Sequence, residues 1–205
     1  MDEKHGNFLL RVYELYNKFG IKSVTMDDVS RELGMSKKTL YECIEDKADL
    51  VKLVMEMVFR FHGEKLNEIT TQGINAIEEI FEVNRYMTKM VKEQNPTLVY
   101  DMQKYYPELY GTLMQEQRRR MHEAIRSNLI KGIEEGLYRS EMNVEIISKL
   151  HMTRMEYSHR QDNNYQLSDI DSREVMQEIF IYHLHGIANE KGIKFLNEKL
   201  KSDWK

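Results

Sequence analysis

Lys37, Lys38, Thr39 and Tyr41 stand together at the start of one short predicted helix, directly after Ser36. Two ammonium groups in that position can reach phosphate oxygens or the O6 and N7 acceptors of guanine, and a threonine can meet a base edge or a thymine methyl. The Ser36 hydroxyl and the backbone N–H groups of the first turn also suit phosphate. Thr25 and Tyr41 can donate hydroxyl hydrogen bonds to phosphate. Lys47 falls in the first turn of the next helix, where a cation opposes the helix dipole. That placement makes most sense if an external anion lies beside it. Other clusters promise less. Glu156-x-x-His159 has the spacing of carboxylate-bridged di-iron bundles, which need a second copy and two more glutamates, and the sequence offers no second copy. His183 and His185 face different sides of a helix, and Arg118-Arg119-Arg120 fans around one. Cys43 is read as a small packed residue rather than a redox sensor. With no glycine-rich phosphate loop, nucleophile elbow or paired metal motif, no metal, cofactor or catalytic residue is expected.

The elements that must position these side chains are all helical. Apolar spacings of three and four recur along the chain, no stretch alternates over strand lengths, and only two prolines occur, Pro96 and Pro107. The first helix is expected over about residues 7–19, with Leu9, Val12, Tyr13 and Tyr16 on one face and Gly20 as its stop. A short helix follows from Met26 to about Leu33, with Thr25 as N-cap and Asp28 completing a capping-box arrangement. Gly34-Met35-Ser36 makes a three-residue turn, with glycine where the backbone must turn left-handed, and a third helix covers Lys37–Cys43. This is a helix-turn-helix layout. Val29, Leu33, Met35 and Leu40 can form its shared core, leaving Lys37-Lys38-Thr39 exposed as a recognition helix presents them. A fourth helix, over about residues 46–70, connects to longer ones at about 74–92, from Pro96, from Pro107 to Gly136, 144–160, 172–189 and from Ile193. A polar loop is expected over Gln161–Ser168.

In combination, Leu15-Tyr16, Gly20, Thr25, Val29, Gly34-Met35-Ser36, Thr39-Leu40-Tyr41 and Ile44-Glu-Asp-Lys47-Ala-Asp-Leu50 resemble the DNA-binding segment of the TetR family of bacterial regulators. Ile44 stands where that pattern has an aromatic. The resemblance covers roughly residues 8–55. It implies an all-α chain with an N-terminal three-helix DNA-binding head (residues 1–50) and a larger helical bundle (residues 51–205) for ligand binding and dimerisation. It also implies a homodimeric repressor released from a palindromic operator by a small-molecule effector. Thr25, Ser36, Lys37, Lys38, Thr39, Tyr41 and Lys47 are the implied DNA contacts. The alternative is an all-helical enzyme or cofactor-binding bundle with an incidental hairpin.

Charge is a weak support for DNA. The net formal charge is −4, and residues 1–50 hold eight Lys plus Arg against ten Asp plus Glu. Only cations that face phosphate displace counterions, so placement has to carry the argument. In the body, Tyr86, Met90, Tyr100, Tyr105, Tyr110, Met114 and Met121 could line a mainly apolar pocket with a few hydroxyl handles, suited to an apolar or aromatic effector. By resemblance the last two long helices pair with a second chain, with Val175, Ile179, Phe180, His183, Gly186 and Ile187 as contacts. A mid-helix glycine costs about 1 kcal/mol against alanine, which close helix approach at Gly186 would offset. The single cysteine, the polar first residues and the lack of any run of about 20 apolar residues lead to the expectation of a cytoplasmic, membrane-free protein.

Overall fold

The computed structural model describes residues 3–158 and 172–203. They form ten helices: α1 (Glu3–Phe19), α2 (Met26–Leu33), α3 (Lys37–Cys43), α4 (Lys47–Thr70), α5 (Ala76–Glu93), α6 (Pro96–Tyr105), α7 (Pro107–Glu134), α8 (Val144–Ser158), α9 (Ser172–Ile187) and α10 (Glu190–Asp203). The all-α expectation holds: the one β feature among the described residues is an isolated bridge between Tyr138 and Ala188. The expected loop at Gln161–Ser168 and His159 of the Glu156–His159 pair lie outside the described residues. Among the described residues no helix is long and apolar enough to cross a membrane.

Packing divides the chain into two compact units, one of Met1–Gln72 with Val83–Arg118 and one of Gly73–Glu82 with Arg119–Lys205. The unit that holds residues 1–50 therefore also takes in α4, most of α5, all of α6 and the start of α7.

The first unit is built around the apolar faces of α1 and α4. Leu9, Val12 and Tyr16 recur at helical spacing on α1, and Leu50, Val51, Val54 and Met55 do so on α4; all are buried. Leu98 and Met102 of α6 close the same core. Burying one such side chain contributes about 1.5–3 kcal/mol, so the short helices α2 and α3 owe their stability to this core more than to their own length. Gly20 ends α1 with φ +80. A Cβ there would meet Thr97 Cγ2 at 2.9 Å and Asp101 Oδ2 at 3.0 Å, so α6 approaches the α1–α2 turn closely because residue 20 has no side chain.

The second unit packs Ala76, Ile77, Phe81, Leu129, Leu137, Phe180, Leu184, Ile187 and Leu196 into one cluster, with Phe81 and Phe180 edge to face at 5.1 Å. A buried polar network crosses it. Asn128 Nδ2 donates to the Ala76 carbonyl and to Glu79 Oε1, both at 2.9 Å, Lys131 Nζ donates to Glu79 Oε2 at 2.5 Å, and the Tyr138 hydroxyl donates to Asn128 Oδ1 at 3.1 Å. Each polar side chain of this network thereby has a partner, which removes the cost of leaving it unsatisfied.

Candidate nucleic-acid interface

The helix-turn-helix forms as its local sequence dictates. Thr25 accepts from the Asp28 N–H at 3.2 Å, and Asp28 Oδ2 accepts in return from the Thr25 N–H at 2.9 Å and hydroxyl at 2.6 Å. These bonds hold the Asp28 carboxyl below the usual carboxylate range. Gly34 turns left-handed at φ 68 and its N–H reaches back to the end of α2. Ser36 then caps α3, accepting from the Thr39 N–H at 3.1 Å. Val29 and Leu40 are fully buried beneath the hairpin, with Leu33 and Met35 packed beside them, so the expected mini-core is present.

That core fixes which side chains face outward. Lys37, Lys38, Thr39 and Tyr41 are all exposed on one short helix, and so is its cap, Ser36. Lys37 Nζ lies 2.5 Å from Asp27 Oδ1 of α2, with both side chains more than half exposed. Water screens such a pair, leaving the lysine available to a stronger anion. The Ser36 and Thr39 hydroxyls are 2.9 Å apart, so the Ser36 oxygen serves first as a cap. Thr25 likewise spends its hydroxyl on Asp28.

Two expectations change on the structure. Lys47 does not extend outward: its Nζ donates to the Val24 carbonyl at 2.5 Å and lies 3.5 Å from the Lys22 carbonyl. Partial burial pulls this ammonium below the ordinary lysine range, with Asp101 and Asp28 acting in the opposite sense. In this geometry it braces the α1–α2 turn. Cys43 is exposed rather than packed, because α3 ends there and the core is already filled by Leu40 and Ile44.

The body candidates disperse. In the first unit Tyr100 is 54% exposed and Tyr105 38% exposed, which puts both phenols on the surface and not around an enclosed cavity. Tyr86 meets His62 Nδ1 through its hydroxyl at 2.5 Å, and the Tyr110 hydroxyl accepts from Gln103 Nε2 at 3.2 Å. Met90, Met114 and Met121 are half-buried. The second unit carries a cleft of about 520 Å³ whose wall includes Ile133, Tyr138, Arg139, Ser140, Asn189 and Ile193; the Met and Tyr candidates do not line it. On α9, Phe180, His183 and Ile187 turn into their own unit's core, and His183 stacks on His151 of α8 at 3.9 Å. They are core residues of one chain, while Val175 and Ile179 are half-buried and Gly186 is exposed. A Cβ on Gly186 would meet nothing within 4 Å, so crowding inside the chain does not explain that glycine. Among the described residues of these two helices, Tyr182 on α9 and Ile146 and Leu150 on α8 are exposed large apolar side chains, none of them singled out from sequence.

No family model and no curated protein matches the sequence. Solved structures do. A transcriptional regulator from Cytophaga hutchinsonii matches with a TM-score of 0.73 at 17% identity, over 92% of this chain and 100% of that one. A TetR transcription regulator from Haloarcula marismortui matches with a TM-score of 0.69 at 13% identity, over 92% and 100%. The fold is the TetR regulator fold. A transcriptional regulator from Saccharomonospora viridis, solved in complex with choline, has a TM-score of 0.64 at 15% identity, over 93% and 100% of the two chains.

Proposed function

We propose that this chain is a sequence-specific DNA-binding regulator of transcription, acting as a homodimer and as a repressor released by a small-molecule effector. The observation that carries the reading is the outward face of α3: Lys37, Lys38, Thr39 and Tyr41 are exposed together on a helix that Leu40 anchors in a buried apolar core. A rigid element projecting cations and hydroxyls is what major-groove readout requires. The similarity in fold to transcriptional regulators over nearly the whole chain supports it.

Two copies would present their α3 helices to half-sites about 34–36 Å apart, or a multiple of that. Dimerisation through α8 and α9 is supported by exposed apolar side chains: Ile146 and Leu150, four residues apart on α8, and Tyr182 on α9. An effector that favours a different spacing of the two heads, with a coupling of about 1–3 kcal/mol, would change operator affinity roughly 5–150-fold. The choline bound to the Saccharomonospora viridis regulator supports a small organic effector, and the methionines and tyrosines of α5–α7 suit an apolar or aromatic one.

The test is selection of bound duplexes from a random pool with the purified protein. A palindrome with turn-spaced halves is expected. On that site Lys38→Ala is expected to cost about 1–3 kcal/mol and to relax the preference at one base pair per half-site. Failure of the unaltered protein to enrich any duplex at low salt would sink the reading.

A further inference from the structure

Beside the α1–α2 turn the first unit carries a second group of cations that the helix-turn-helix does not include. Lys22 and Lys104 approach the same aromatic ring, with their Nζ atoms 5.2 and 5.5 Å from the Tyr105 centroid. Lys104 Nζ also donates to the Tyr100 hydroxyl at 2.8 Å. The closeness of the Lys22 ammonium to the Tyr105 phenol lifts the lysine above its ordinary range and draws the phenol below its own. Several lysines of this chain are matched to carboxylates: Lys37 to Asp27, Lys65 to Glu68, Lys89 to Glu93, Lys131 to Glu79 and Lys149 to Glu145. At Lys22 and Lys104 the described contacts are with phenols. The nearby carboxylate, Asp101, is buried and its Oδ2 accepts the Lys22 backbone N–H at 2.8 Å. Two ammonium groups thus stand side by side with phenols as their described side-chain contacts. A docking anion would meet both cations and two phenol hydroxyls within one small patch.

The position of the group selects its occupant. The Lys22 carbonyl faces Lys47 Nζ at the start of α4, and Lys22 lies three residues before Thr25, the cap of α2, a span of at most about 11 Å of chain. Tyr106, next to Tyr105, feels the charge of Asp46, which caps α4. The end of α6 therefore lies at the same end of α4 as the recognition hairpin. Resting on the DNA-binding reading above, we propose that Lys22 and Lys104, with the Tyr100 and Tyr105 hydroxyls, form a second clamp on the sugar–phosphate backbone of the operator. The clamp grips phosphate without reading bases, so it strengthens binding to all duplexes alike.

The experiment is a salt titration of binding to the selected duplex and to an unrelated one, for the unaltered protein, Lys22→Gln/Lys104→Gln, Lys22→Arg/Lys104→Arg and a control, Lys194→Gln on α10. Each phosphate neutralised contributes about 0.9 to the slope of log K against log salt. The double glutamine variant is expected to lose roughly 1–2 units of slope, and to lose affinity for the two duplexes by the same factor. The arginine variant should keep the slope, and the control should match the unaltered protein. An unchanged slope in the glutamine variant, with the selected duplex still bound, would overturn the clamp and leave the regulator reading standing. Affinity lost for the selected duplex alone would also overturn it, since that pattern belongs to base readout. If the unaltered protein bound neither duplex, both proposals would fall together.

Discussion

His62 is half-buried on α4, with Nδ1 2.5 Å from the Tyr86 hydroxyl and the two rings 5.9 Å apart. Desolvation holds this imidazole below its ordinary value of 6.5, so in the folded chain it resists a proton that the unfolded chain accepts. Wherever the unfolded state binds more protons, stability falls as pH falls. The loss contributed by His62 therefore begins as pH drops through about 6.5 and is complete below the folded-state value. In urea titrations between pH 7.5 and 5.5, His62→Gln is expected to show a shallower fall in stability than the unaltered protein, and equal slopes would show that this histidine does not titrate against folding. Single residues also mark where sequence reading stops. Thr25 and Ser36 were legible as caps because their partners, Asp28 and Thr39, lie three residues away. Lys47 was not, because the carbonyl that takes its ammonium belongs to Val24, brought near only by tertiary packing. The pairing of Lys22 with Tyr105 is hidden for the same reason, although Tyr100 and Lys104 are four apart and so share a helix face.

At the level of elements, the left-handed stops after α1 and α2 look alike in sequence and differ in what surrounds them. Gly34, at φ +68, has open space where a Cβ would go, whereas a Cβ on Gly20, at φ +80, would press on Thr97 and Asp101. Gly34→Ala should therefore cost only the left-handed penalty of about 1–2 kcal/mol. Gly20→Ala should cost more, because α6 must move as well. Chemical denaturation of the two variants reads the difference, and equal losses would mean that α6 yields freely. Helix identities were legible throughout because the apolar period is long and regular. Ends were less so: α10 starts at Glu190, three residues ahead of the expected Ile193, because Asn189 accepts from the Gly192 N–H and sets the first turn. The inward face of α9 could not be read at all from its pattern. That helix is apolar on several sides, and only packing against Phe81 and His151 decides that Phe180 and His183 point inward.

For the molecule as a whole, the proposed pairing through α8 and α9 would use Tyr182, at 75% accessible, as its aromatic anchor. Central interface aromatics cost about 2 kcal/mol or more when removed. Tyr182→Asp is expected to weaken self-association at least about thirtyfold in sedimentation equilibrium, with helix content unchanged. Dimerisation at undiminished strength would place the contact elsewhere. The division into two units carries a consequence of another kind. Neither unit is an uninterrupted stretch of sequence, since α5 and α7 each contribute to both. A break after residue 72 would strip Leu98 and Met102 from the core that supports the hairpin. The hairpin cannot then be traded between genes as a cassette by a single crossover. The exposed face of α3 can change by point substitution, while the residues that carry that face inherit their constraints from α6, more than fifty positions downstream.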